Sequence, residues 1–162
     1  MEAFVELVAS AVHVLIDQTS TGGVSLFFRP IFDAAQFVWD VVHVRVRLHD
    51  VRAFLRHVVH TLDMDEKELL LMLVLLEQVM RSQKMTRLPR GCCRALVLCC
   101  SVLAIKHAND TREVLTDGLE HILIALRPLW RLEKRVLGLL DWQVPMHSDV
   151  YELYTTALHA DP

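Results

Sequence analysis

The sequence predicts an all-α fold in one domain. Apolar residues recur at helical spacing along most of the 162 residues, and the alternation typical of strands is nearly absent. A hydrophobic content of 53% with 5 glycines and 5 prolines excludes a disordered or linker-rich chain. Since domains usually span about 100–200 residues, this length leaves no room for a second domain. We expect about six or seven helices joined by short connections.

The N-terminal region predicts one helix followed by a loop. Residues 2–17 place Phe4, Val8 and Val12 on one helical stripe. The polar run at residues 18–23 ends in two glycines and indicates that the helix stops before it.

Residues 24–49 have the least regular pattern of the chain. Aromatic residues cluster around Pro30, which indicates a packed connection with a short helix at 33–42. Residues 43–48 alternate between polar and apolar side chains, but one strand without a partner does not make a sheet. We interpret this last piece as an extended linker.

Two clearer helices follow the linker. Asp50 is expected to be the N-cap of a helix that ends near Leu62, with Arg52 and Arg56 on its solvent face.

The second of these helices has a capping box at its start. Asp65 and Glu68 have the spacing that this motif requires. Residues 69–76 are apolar on every side, so this helix is expected to be buried on most of its surface.

Prolines divide the rest of the chain into helices, because proline suits a first turn but interrupts a helix interior. The expected helices cover residues 89–108, 115–126, 128–140 and 148–158. The break between the second and the third of these is placed at Arg127-Pro128.

Lys106 lies on an unexpected face of its helix. At about 100° per residue it falls in line with Ala95, Cys99 and Val102, a stripe of small and apolar side chains. Small side chains let a neighbouring backbone approach closely, so this stripe is expected to be buried.

Glu133 is the matching exception on a later helix, because it falls between Leu129 and Val136 on the apolar face. A lone buried charge costs several kcal/mol. One lysine and one glutamate, each misplaced on its own helix, therefore predict that the two neutralise each other. In the alternative, Lys106 extends into water and Glu133 pairs with Arg131 or Lys134.

Charge and hydropathy exclude several functional classes. The net charge of −3 argues against a nucleic-acid binder. The longest uncharged apolar run, residues 95–105, is far shorter than the roughly 20 residues that span a membrane. The start of the chain has no basic n-region typical of a secretory signal. We expect a soluble, intracellular protein.

Neither a catalytic nor a metal site is predicted. The sequence contains no nucleophile elbow, P-loop or GxGxxG motif. The cysteine doublets at 92–93 and 99–100 lack zinc-site spacing and are interpreted as buried reduced thiols. His57 and His60 have no third ligand nearby in the sequence, so solvated side chains are favoured over a metal site.

Three segments resemble the cyclin box, the five-helix module through which cyclins bind protein kinases. Residues 51–55, Val-Arg-Ala-Phe-Leu, are similar to Met-Arg-Ala-Ile-Leu in its first helix. Residues 103–107, Leu-Ala-Ile-Lys-His, are similar to Leu-Ala-Ser-Lys-Tyr at the end of its third helix. Residues 132–145 are similar to its fifth helix. The P/U type of cyclin, with a helix before a single box, is the most similar variety.

The resemblance implies that residues 50–158 form a single cyclin box, with residues 1–49 as an N-terminal helix and connecting segment packed on it. It implies a non-catalytic regulatory subunit that binds and activates a cyclin-dependent kinase, without cofactor or metal. In the family, a lysine and a glutamate at the positions of Lys106 and Glu133 contact the kinase. It also implies a protein that is monomeric apart from the kinase, binds neither membrane nor nucleic acid, and is found in the nucleus, the cytoplasm or both.

The chain departs from the family at the substrate-docking patch. Val58 stands where the patch has a tryptophan, and Cys93 and Arg94 replace a leucine and a glutamine. The alternative function is a helical adaptor of cyclin fold that binds a protein, or less favourably a nucleic acid, without activating a kinase.

Overall fold

A computed structural model describes residues 1–17, 47–108, 126–143 and 148–160. The expected short helix at 33–42 lies outside the described residues, as do most of the expected helix at 115–126 and of the linker at 43–48. The described part is predominantly helical, which confirms the all-α prediction. Its helices are α1 Glu2–Leu15, α2 Leu48–Thr61, α3 Glu66–Ser82, α4 Arg90–Ala108, α5 Leu126–Leu139 and α6 Ser148–Ala160.

A short parallel pairing joins the end of α1 to the start of α4. Strand β1, Ile16–Asp17, pairs with β2, Leu88–Pro89, in the register Ile16↔Leu88. The prediction that α1 continues through residue 17 and that Pro89 begins a helix is therefore wrong. Both apolar partners are buried, so an extended backbone here places them in the core while pairing their peptide groups. The Arg87 guanidinium also donates to the Val14 carbonyl near the end of α1.

The start of α2 differs from the prediction. The helix begins at Leu48, and Asp50 is the third helical residue rather than the N-cap. Its carboxylate accepts a hydrogen bond from the backbone N–H of Arg47, at 2.9 Å. Asp50 thus satisfies a backbone donor from inside the first turn, where a negative charge also favours the helix dipole.

The central helix α3 agrees with its prediction. Asp65 Oδ1 accepts from the backbone N–H of Glu68 at 2.7 Å, and Glu68 Oε2 accepts from that of Asp65 at 2.8 Å. Every residue of the segment 69–76 is buried. The helix contacts α1, α4, α5 and α6, so it has no side left for solvent along this segment.

Ion pairs join α1 to α2 beside an apolar contact. Glu6 Oε1 accepts from the Arg56 guanidinium at 2.6 Å, 50 residues away in sequence. Arg52 Nε lies 2.6 Å from Glu6 Oε2, although its N–H does not point at that oxygen, so this contact is an ion pair rather than a hydrogen bond. Arg52 and Arg56 lie on the solvent side as expected, with side chains 38% and 51% exposed, and both also pair with Glu6 of α1. Phe4 and Val8 of α1 belong to the same hydrophobic core as Val51 and Leu55 of α2.

The start of α5 lies two residues before the expected one. A helix was expected to begin at Pro128, and the helix begins at Leu126 and includes Arg127 and Pro128. Pro128 lies in the first turn, where its missing N–H removes no intrahelical hydrogen bond.

Helix α6 packs on α1 and α3, and one polar contact fixes it to α3. The Tyr154 hydroxyl donates to Glu77 Oε2 at 2.6 Å, and Arg81 pairs with the same oxygen at 3.2 Å. Burial, and then the hydrogen bond to Glu77, raise the pKa of Tyr154 above its usual range.

Replacing Tyr154 with phenylalanine is expected to lower the free energy of unfolding by about 1–2 kcal/mol at pH 7, because the hydrogen bond to a carboxylate is lost. The unfolded phenol ionises near pH 10 while the folded one stays protonated, so this contribution to stability falls as pH rises above about 10. Urea unfolding at pH 7, 9 and about 10.5 measures both effects. Tyr151→Phe is the control, because the Tyr151 hydroxyl has no hydrogen bond among the described residues. Equal alkaline losses in wild type and Tyr154→Phe would contradict the assignment.

Candidate functional site

The last turn of α4 and the middle of α5 meet through one ion pair. Lys106 Nζ donates to Glu133 Oε1 at 2.6 Å, across 27 residues of sequence. The prediction that these two charges neutralise each other is confirmed. Among the described residues, neither Arg131 nor Lys134 pairs with Glu133.

The two partners differ in burial. The side chain of Glu133 is 9% exposed, whereas that of Lys106 is 37% exposed. The expectation of a buried stripe holds for Cys99 and Val102 but not for Lys106 itself, because the helix end leaves the core there. The pair therefore lies at the rim, with the carboxylate on the core side and the ammonium on the solvent side.

Small side chains bring α4 close to its neighbours. Ala95, Cys99, Ser101 and Ala104 are all buried. The Ser101 hydroxyl donates to the backbone carbonyl of Val97 within the helix at 2.9 Å, so it needs no partner from another helix. On α5, buried apolar side chains on both sides of Glu133 complete the contact, namely Leu129, Leu132 and Val136.

The thiols of α4 are core groups. Burial raises the pKa of Cys99, and the nearby Cys100 and Glu133 raise it further, while Lys106 lowers it. Burial raises the pKa of Cys100 to about 12. A protonated, buried thiol is a poor nucleophile. All four cysteines are buried and none is in a disulfide, which confirms their interpretation as small apolar residues.

The described residues contain neither a metal-binding cluster nor a helix that could span a membrane. No group of three or more His, Cys, Asp or Glu side chains among them could hold a metal ion. His57 Nδ1 lies 3.4 Å from Thr61 Oγ1, one turn along the same helix. None of the described helices has the length and apolarity that crossing a membrane requires.

Two exposed tryptophans on or near α5 were missed from the sequence. The Trp130 side chain is 54% exposed and precedes Glu133 by three residues, so the two share one side of the helix. Trp142, just beyond the end of α5, is 66% exposed. The exposure of Trp130 could have been predicted from the sequence, because its position on the helical wheel lies outside the apolar stripe of Leu129, Leu132 and Val136.

Backbone strain accompanies the second tryptophan. Asp141 and Trp142 have φ values of 50° and 59°, a left-handed conformation that bulky residues rarely adopt. The Trp142 N–H donates to the Leu137 carbonyl at 2.9 Å, which closes the end of α5. A glycine would relieve this strain, so the sequence keeps an exposed indole at a position that disfavours it.

Comparison with known proteins adds no relative, because no family model, curated protein or solved structure has a significant match to the chain. The features that bear on function are therefore those of its own residues. They are the rim pair Lys106–Glu133 and the two exposed indoles, Trp130 on α5 and Trp142 just beyond its end.

Proposed function

We propose that the chain is a non-catalytic regulatory subunit, a single-box cyclin that binds and activates a cyclin-dependent protein kinase. The observation that carries the proposal is the 2.6 Å pair between Lys106 Nζ and Glu133 Oε1 at the rim of the α4–α5 contact. These are the two positions at which the resemblance implies a kinase contact.

The geometry of the pair suits recognition of a helix end. A lysine ammonium has three donors, and only one of those of Lys106 is used by Glu133 Oε1. The remaining donors can bind the carbonyl groups that the end of a partner helix leaves unsatisfied. Because Glu133 already fixes the ammonium, binding loses less side-chain entropy than it would with a free lysine.

Activation follows if the bound helix is the mobile αC helix of the kinase. Phosphoryl transfer requires the kinase's own Lys–Glu ion pair, which depends on the position of that helix. A subunit that binds only the active position shifts the kinase population toward it. The subunit itself contributes no reacting group.

Substrate docking through the first box helix is not part of the proposal. Val58 has no aromatic ring and is completely buried, and Cys93 is buried as well. The Arg94 guanidinium lies 5.6 Å from the centroid of the Phe54 ring. Phe54 and Arg94 line a cleft that also contacts Val12 of α1.

Purified cyclin-dependent kinases provide the test, with affinity measured by calorimetry and activation by phosphorylation of a peptide substrate. We expect at least one kinase to bind and become active, and Glu133→Gln to weaken that binding by about tenfold or more. Glu133→Gln keeps the size of the side chain, and circular dichroism checks that the fold is retained. Glu152→Gln, an exposed position on α6, is the matched control.

Each result separates the proposed functions. If no kinase binds the folded protein, the proposal is wrong. If a kinase binds without gaining activity, the chain is a helical adaptor instead. If Glu133→Gln and Lys106→Ala both bind with wild-type affinity, the rim pair is not the contact.

A further inference from the structure

The helix α5 carries a charge opposite to that of the chain. Residues 126–139 contain four basic residues and one acidic residue, a net charge of +3, whereas the whole chain carries −3. The single acid, Glu133, is already paired with Lys106. The excess positive charge of this helix is therefore not balanced within the helix.

Part of this charge surrounds an exposed indole. Trp130 and Lys134 are separated by four residues, and Arg131 and Lys134 by three, so the three side chains form one continuous helix surface. Trp130 is 54% exposed, and Arg131 and Lys134 are exposed. Neither cation pairs with an acid among the described residues. We name these three residues the basic–aromatic surface.

We propose that the basic–aromatic surface docks an acidic segment of a protein partner, with carboxylates against Arg131 and Lys134 and an apolar side chain against Trp130. Charge complementarity selects the occupant, because neither cation pairs with an acid within the part of the chain that the structure describes, and the remainder of the chain carries a net negative charge. Tryptophan and arginine are the residues that most often dominate a protein interface. The inference does not rest on the proposed function, since the docking residues are Trp130, Arg131 and Lys134 and kinase activation plays no part in it.

A protein segment fits this surface better than a nucleic acid or an anionic membrane. Binding to a phosphate backbone usually draws on six or more cationic contacts, whereas this surface offers two. A membrane-surface helix needs a broad apolar face in addition to its cations. The apolar face of α5 is formed by Leu129, Leu132 and Val136, and these side chains are already buried in the core. Only Trp130 remains as an exposed apolar anchor within the basic–aromatic surface.

A synthetic amphipathic peptide of about four helical turns, with glutamates on one face and leucines on the other, is the probe. Fluorescence anisotropy of the labelled peptide measures its affinity for the full chain. We expect Trp130→Ala to weaken binding by about tenfold or more, and Lys134→Ala by about two- to fivefold. Lys67→Ala is the matched control, because it removes an exposed helical lysine from α3, and it should leave the affinity unchanged.

The same assay can overturn the inference. The inference is wrong if the acidic peptide does not bind, or if a twin peptide with lysine in place of glutamate binds equally well. It is also wrong if Lys134→Ala and Lys67→Ala have equal effects on the affinity. If duplex DNA or phosphatidylserine vesicles bind more tightly than the peptide, with the same dependence on Trp130, the partner is not a protein segment. The peptide assay contains no kinase, so failure here is distinct from failure of the kinase proposal.

Discussion

Replacement of Leu75 by alanine is expected to lower the free energy of unfolding by about 3 kcal/mol, measured by urea denaturation. Leu75 is fully buried near the middle of α3, the helix that contacts α1, α4, α5 and α6. Removing its isobutyl group loses transfer free energy and leaves a cavity that helices packed on several sides cannot easily close.

Leu153→Ala provides the control for this substitution. Leu153 lies on α6 and is 67% exposed, so the same chemical change should alter the free energy of unfolding by less than about 0.5 kcal/mol. Similar losses for Leu75→Ala and Leu153→Ala would show that α3 is not the central helix of the core.

The burial of α3 could be predicted because its signal is local. Eight successive apolar residues, 69–76, leave a helix no polar side to expose, whichever neighbours cover it. The capping box of Asp65 and Glu68 is also local, since its two partners are only three positions apart in the sequence. Such features do not depend on which helix packs against which.

Contacts between segments that are distant in the sequence were harder to predict. The pairing of Ile16 with Leu88 requires two short extended pieces, neither of which has an alternating pattern of its own. Likewise, the position of Arg56 on its helix predicts only a solvated side chain. Its partner Glu6 comes from α1, and the sequence around Arg56 does not indicate it. Helical periodicity gives the direction in which a side chain points but not the partner it meets there.

For the rim pair, the sequence predicted the partners correctly but not the burial of the lysine. The wheel positions of Lys106 and Glu133 marked each as unusual, and charge neutrality made them partners, which the structure confirms at 2.6 Å. Periodicity could not show that α4 leaves the core at Lys106, so the lysine was expected to be more buried than it is. The cyclin assignment and the kinase contact remain predictions.

The asymmetric burial of the rim pair leads to the second large expected effect. Lys106→Met is expected to lower the free energy of unfolding by about 2 kcal/mol, because it leaves the buried Glu133 carboxylate without its cation. The loss is smaller than for a fully buried pair, since the 37% exposure of Lys106 admits water. Glu133→Gln is expected to lose less than about 1 kcal/mol, because the remaining ammonium can extend into solvent.

A double-mutant cycle with Lys106→Met, Glu133→Gln and both together measures the coupling between the two side chains by urea denaturation. We expect the double variant to be more stable than Lys106→Met alone, because the buried charge has been removed along with its partner. Arg81→Met is the control, since Arg81 pairs with Glu77 while its side chain is 76% exposed, and it should lose less than about 0.5 kcal/mol. Additive losses in the cycle, or equal losses for Lys106→Met and Arg81→Met, would mean that the pair contributes no more than a surface contact and does not hold Lys106 in place for a partner.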